Sequence, residues 1–115
     1  MNDIYPKLLA ADVIVLATPG YMEMLSGLLK NFLDRTCAVW PRLEGKKMAG
    51  LAVAEEGIGQ TMQNLRHYAG LCKMIWVGSV SALAKDPGEI SKNKTIKPRL
   101  ERLAKKIVIQ NEGER

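Results

Sequence analysis

Two short stretches hold the residues best suited to chemistry. The first runs Thr18-Pro19-Gly20-Tyr21-Met22 and offers two hydroxyls, a proline that fixes its own backbone and a glycine that frees one. Such a set suits a planar heteroaromatic ligand: backbone N–H groups meet ring oxygens and nitrogens while Tyr21 or Met22 covers a face. A plain connection between a strand and a helix has the same composition. The second stretch runs Glu55-Glu56-Gly57-Ile58-Gly59-Gln60. Its glycines suggest a phosphate cradle, yet the dinucleotide fingerprint and the P-loop lysine are absent, and adjacent carboxylates repel a phosphate. Close approach of backbone to a flat ring suits it better, and a simple turn suits it equally. Neighbouring residues leaving a strand point apart, which argues against Glu55 and Glu56 as an acid–base pair.

Other reactive side chains are isolated in the sequence. His67 is the single histidine, on the polar face of its segment, and reads as a surface residue. Cys37 and Cys72 cannot build a disulfide framework or a four-thiolate metal site, so both read as reduced packing residues. Trp40 and Trp76 read as packing or interface aromatics.

The elements that must position these residues follow from hydrophobic period. Residues 5–11 look like the end of a helix, with Pro6 tolerated near its start. Val13-Ile14-Val15-Leu16-Ala17 is a continuous apolar, β-branched run, the pattern of a parallel strand covered on both faces, and residues 18–21 break it. Ser26 caps a helix whose apolar stripe is Leu25, Leu28, Leu29, Phe32 and Leu33. A second strand spans residues 48–54, and Thr61 caps a helix through Met62, Leu65 and Ala69, stopped near Gly70. A third strand covers residues 74–77, and residues 78–94 read as irregular, including the turn Lys85-Asp86-Pro87-Gly88. Thr95 then caps a helix on which Ile96, Leu100, Leu103 and Ile107 share a face. Alternation of this kind predicts an α/β fold with a parallel sheet and right-handed crossovers, whose ligands lie beyond the carboxyl ends of the strands.

Composition narrows the function classes. The chain has 115 residues, 47% hydrophobic and 25% charged, enough for one small domain that buries ~60–70% of its unfolded surface. No apolar run approaches the ~20 residues of a membrane span, and residues 1–3 lack the features of a secretory signal, so a cytoplasmic protein without membrane contact is expected. The net charge of +5 is concentrated late: from Lys85 onward nine Lys or Arg stand against five Asp or Glu, a net +4, leaving +1 for the first 84 residues. That excess reads as a solvated helix and tail. No nucleic-acid-binding motif accompanies it, and one Phe offers little for base stacking, so nucleic acid is not an expected partner.

Taken together, ADVIVLATPGY, LSGLLKNFLDR, EGKKMAGLAV and the glycine loop before Gln60-Thr61 resemble the NADPH-dependent FMN reductase-like proteins. Within that family GSVSA and KDPGEI resemble the iron-sulfur flavoprotein branch. The resemblance covers residues 4 to about 107. It implies a flavodoxin-like three-layer sandwich that binds FMN noncovalently, takes electrons from NAD(P)H and passes them through the flavin, with no catalytic side chain required. Residue by residue, Thr18, Pro19, Gly20, Tyr21 and Met22 would lie along the isoalloxazine ring, and Glu55, Glu56, Gly57, Ile58 and Gly59 would close its other side. Family members usually carry a branched residue or proline where Gly20 stands, an aromatic where Met22 stands, and glycines where Glu55 and Glu56 stand.

The family pattern also begins earlier, with a strand, a Ser- or Thr-rich phosphate loop, a helix and a second strand. Residues 1–115 correspond to a single partial flavodoxin-like domain holding strands 3, 4 and 5 of the order 2-1-3-4-5. The branch's cluster-binding cysteines belong to the earlier part, so no iron-sulfur cluster is expected from this chain. The edge of the strand at residues 13–17 is therefore expected to lack its neighbour and to be covered by another copy of the chain or by a separate chain. Two functions fit: an FMN-dependent oxidoreductase or electron-transfer subunit completed by another polypeptide, or a non-catalytic flavodoxin-like remnant acting as an oligomerisation or partner-binding module.

Overall fold

The computed structural model describes residues 2–22, 24–86 and 88–113, with side chains described to residue 109. Pro87, within the expected turn, lies outside the described residues. In chain order the elements are α1 (Ile4–Ala10), β1 (Val13–Tyr21), β2 (Met24–Leu25), α2 (Gly27–Arg35), β3 (Lys47–Ala54), α3 (Ile58–Leu71), β4 (Ile75–Leu83) and α4 (Ile96–Gly113). Short 3-10 turns occupy Thr36–Ala38, Trp40–Leu43 and Ile90–Lys92. The sheet order is β2-β1-β3-β4. β1, β3 and β4 run parallel, and β2 folds back antiparallel on the tip of β1. This is the expected α/β architecture, with the three parallel strands in the expected order.

Two cores flank the sheet. On one face, Ile14 and Leu16 of β1 and Met48 and Ala52 of β3 pack with Leu8, Leu33, Met62 and Leu65 from α1, α2 and α3. On the other, Ala49 of β3 and Val77, Val80 and Ala82 of β4 meet Ile96 and Leu103 of α4. Lys46 ties the layers at one end: its ammonium donates to the carbonyls of Leu9 and Ala11, each at 2.7 Å, at the frayed end of α1 where a cation is favoured. Among the described residues no helix is long and apolar enough to cross a membrane.

Several boundaries differ from the sequence reading, each for a physical reason. β1 does not stop at Ala17 but continues through Thr18, Pro19, Gly20 and Tyr21. Among the described residues its outer side meets only β2, at Gly20 and Tyr21, and a proline is tolerated on such an edge. The apolar run in β1 is covered on one face only: Ile14, Leu16 and Thr18 are buried, whereas Val15, Ala17 and Pro19 are exposed. Thr61 is not a cap. α3 starts three residues earlier at Ile58, after Gly57, whose left-handed backbone (φ 68°) turns the chain into the helix at no Cβ cost.

β4 runs on to Leu83, because Val80 and Ala82 alternate inward against α4, a period that the two serines had obscured. An irregularity opposite Met48 and Ala49 lets the longer strand keep step. α3 passes Gly70 and ends at Leu71; Lys73, at φ 55°, makes the reversal. Leu28 is 84% exposed and does not belong to the α2 stripe. At the start of α4, Asn93 Oδ1 accepts from both the backbone N–H and the hydroxyl of Thr95, so Asn93 supplies the side-chain acceptor at that turn.

Candidate functional site

The carboxyl ends of the three parallel strands open into a cleft of about 630 Å³, within the ~300–1,000 Å³ range of small-molecule sites. β1 contributes Pro19, Gly20 and Tyr21, and Met22 follows them. Val53 and Ala54 come from the end of β3, Glu55 and Glu56 from the turn after it, and Ala84 from the residue after β4. Tyr21 is 62% exposed and Met22 94%, so an aromatic ring and a thioether stand free at the rim. Met22 also holds a left-handed backbone, φ 50°, where β1 turns toward β2.

Gly20 sets the closeness of the two walls. A Cβ built there would lie 2.8 Å from Ala54 Cβ and 2.8 Å from Thr61 Oγ1, so only glycine lets the end of β1 sit this tightly on β3 and α3. Among the described residues the buried Thr61 hydroxyl finds no hydrogen-bond partner. Next to it, Thr18 fastens the β1–β2 hairpin: its hydroxyl donates to Pro19 O at 2.7 Å and accepts from Ser26 N–H at 3.0 Å. Among the described residues lining the cleft, the ionisable groups are the carboxylates of Glu55 and Glu56 and the Tyr21 phenol, with no lysine or arginine.

The structure thus brings six of the ten expected residues to one cleft: Pro19, Gly20, Tyr21, Met22, Glu55 and Glu56. Thr18, Gly57, Ile58 and Gly59 do not line it. Thr18 is a buried hairpin fastener, Gly57 is the helix N-cap, Ile58 packs on the core below α3, and Gly59 lies in the first helical turn. Val53, Ala54 and Ala84 were missed. The first two are legible as the tip of the second strand, but Ala84 was hidden once the third strand was ended at residue 77.

A second cleft, also about 630 Å³, lies between α2 and α3 and reaches Met24 and Leu25 of β2. Leu33, Trp40 and Leu71 give it apolar walls, and Cys37, Cys72 and Tyr68 reach it. Thr36 gives its proton to Leu33 O at 2.6 Å, so Tyr68 donates to Thr36 Oγ1 at 2.7 Å. Burial pushes the Tyr68 phenol up to about 12 and raises the Cys72 thiol as well. Both cysteines are free; Cys72 packs in the core as expected, but Cys37 is exposed and is not a packing residue. His67 is a surface residue on the rim of this cleft. Trp76 packs partly against the core under the Arg66 guanidinium, 5.8 Å from the ring centre.

Among solved structures, the flavodoxin-like, WrbA-like protein of Agrobacterium tumefaciens is similar over 77% of this chain and 63% of its own length, with 27% identity and a TM-score of 0.67. The Trp repressor binding protein of Bacillus subtilis superposes on 89% of this chain and 70% of its own, with a TM-score of 0.79 at 23% identity. General stress protein 14 of Treponema denticola, solved in complex with FMN, covers 88% of this chain and 70% of its own length, at 15% identity and a TM-score of 0.70. These likenesses identify the fold as flavodoxin-like, and the chain spans just under two thirds of the Agrobacterium protein. No curated protein matches it. The family model for NADPH-dependent FMN reductase matches residues 1–88, and the chain belongs to that family.

Proposed function

We propose that the cleft at the strand ends holds the isoalloxazine ring of FMN in an oxidoreductase that takes electrons from NAD(P)H. The observation that carries this reading is the convergence of Pro19, Gly20, Tyr21 and Met22 with Glu55 and Glu56 in one cleft at the carboxyl edge of the sheet of a FMN reductase family member. The residues fit the ring. Gly20 keeps the floor flat, Tyr21 and Met22 are free to cover one face, and the carboxylates accept hydrogen bonds from ring N–H or sugar hydroxyl groups. They do not fit the phosphate, since the described lining carries two carboxylates and no cationic side chain. The phosphate is therefore held by groups beyond the cleft lining. Bound flavin supplies the hydride and electron transfer; the protein binds and orients the ring and keeps water from one face. The two free thiols suit a reducing compartment, which supports a cytoplasmic setting for the reaction.

The test is a fluorescence-quenching titration of FMN against the purified protein, repeated with riboflavin and with Tyr21→Ala. Saturable quenching weakened about tenfold by Tyr21→Ala is expected, a loss of ~1.4 kcal/mol. Riboflavin binding as tightly as FMN would place the phosphate in solvent. A protein quenching neither flavin, alone or in its native assembly, would sink the reading.

A further inference from the structure

β4 is the end strand of the sheet: among the described residues Ile75–Leu83 pairs with β3 on one side and with no strand on the other. Its outer edge therefore presents alternate N–H and C=O groups along nine residues, roughly 30 Å. Natural sheets blunt such an edge with a short strand, a proline or a charged residue. The strand IWVGSVSAL has none of these. An irregularity beside Met48 and Ala49 disturbs the ladder near its amino end, but residues 78–83 keep an unbroken register with β3.

What flanks this edge is cationic. α4 runs back over β4: Lys106, its eleventh residue, lies above Gly78, the fourth residue of the strand, where an added Cβ would sit 3.8 Å from Lys106 Nζ and 3.2 Å from Leu103 Cδ1. Ile96 and Leu103 point into the core. Right-handed crossovers carry the chain from β1 to β3 to β4 with α2 and α3 on the opposite face. A right-handed helix descending over β4 then turns Leu100, Ala104 and Val108 toward β3, and Arg99, Arg102 and Lys106 toward the open edge. Spaced by three and four residues, these cations form one row, which the exposed Ile109 extends. Among the described residues none of the three has a carboxylate partner. A second copy is the wrong occupant: two β4 edges paired antiparallel about a two-fold axis normal to the sheet bring two such rows side by side, and facing like charges are destabilising.

We propose that the outer edge of β4 and the cationic row of α4 form a docking groove for an extended acidic peptide of a partner protein, which adds to the four-stranded sheet as a further strand. Backbone hydrogen bonds to β4 supply the affinity, and side chains supply the choice. Because side chains alternate between faces, carboxylates at every second position of the peptide meet Arg99, Arg102 and Lys106. The intervening positions lie beside Ser79, Ser81 and Leu83, which alternate with the α4-facing Val80 and Ala82, and they suit small or β-branched residues. The groove is independent of the flavin reading, since none of its residues lines the strand-end cleft.

The test is fluorescence anisotropy with the purified chain and a fluorescein-labelled peptide of alternating Glu and Val. Control peptides carry the same residues in separate blocks, Lys in place of Glu, or a methyl on every backbone nitrogen. The alternating acidic peptide is expected to bind saturably and at least about tenfold more tightly than each control. Arg102→Glu combined with Lys106→Glu, both at exposed positions, is expected to remove at least about tenfold of that affinity. In the complex, deuterium exchange should slow alternate amides of residues 78–83 at least about tenfold and leave those of β1 unchanged. Equal binding of the methylated or blocked peptide would reduce the effect to surface charge and overturn the proposal. Failure of the acidic peptide to bind, affinity that survives the charge reversal, protection confined to other strands, or a chain that dimerises through β4 would overturn it as well. Duplex DNA that displaces the peptide and binds more tightly would assign the row to nucleic acid instead.

Discussion

Gly20 and Thr61 meet at one point beneath the cleft, and each makes a prediction there. Gly20→Ala puts a methyl 2.8 Å from Ala54 Cβ, a backbone-anchored atom that cannot swing away. The end of β1 must lift, so the variant is expected to lose ~1–3 kcal/mol in urea unfolding and to bind FMN more weakly. Unchanged stability would mean that the close approach does not exist in solution. Thr61 is fully buried in α3 with an unpartnered hydroxyl, and Val has nearly the same shape. Thr61→Val is therefore expected to stabilise the protein by about 1 kcal/mol, a rise of roughly 4 °C in Tm by calorimetry. A fall in Tm would show that the hydroxyl has a partner, such as a buried water.

α2 illustrates how a local signal fixes an element. Ser26 adopts an extended backbone, and its hydroxyl accepts from Leu29 N–H at 3.1 Å, the N-cap bond expected from the sequence. Its own N–H donates to Thr18 Oγ1 at 3.0 Å, so the cap also joins the hairpin to the helix. Ser26→Ala is expected to cost about 1 kcal/mol by thermal unfolding, whereas Ser26→Asp, which keeps the acceptor, should cost less. Caps and apolar runs of this kind made the order of elements and the Ser26 boundary legible in the sequence. What stayed illegible depended on neighbours. Thr18 to Tyr21 carry turn residues yet are held extended because β3 and β2 pair with them, and residues 78–83 became strand because α4 covers Val80 and Ala82. The site shared this pattern: residues at the visible end of the first strand were found, while Ala84 depended on a strand whose end sequence alone did not reveal.

For the whole molecule, alkaline pH is a weak flank. Tyr68 ionises near 10.0 when unfolded but about 12 when folded, chiefly because burial disfavours the phenolate, and burial raises Cys72 above its ordinary 9.0 as well. The unfolded chain releases these protons first, so their contribution is complete below about pH 9 and is lost as pH climbs toward 12. Urea midpoints are expected to fall across that range, and Tyr68→Phe should flatten the slope between pH 10 and 12; an unaltered slope would assign the loss to other groups. The ladder registers carry a different consequence, one of time. Val13 faces Lys47 and Lys47 faces Ile75, separations of 34 and 28 residues, so the sheet grows one strand at a time in the order of synthesis. β1 leaves the ribosome before β3, and apart from its Gly20–Tyr21 hairpin with β2 it waits for β3 to emerge. β3 then occupies the inner edge of β1 while β2 already holds the outer edge at Gly20 and Tyr21, so the tip of β1 beside the cleft is fixed by a local hairpin before the long-range ladder closes.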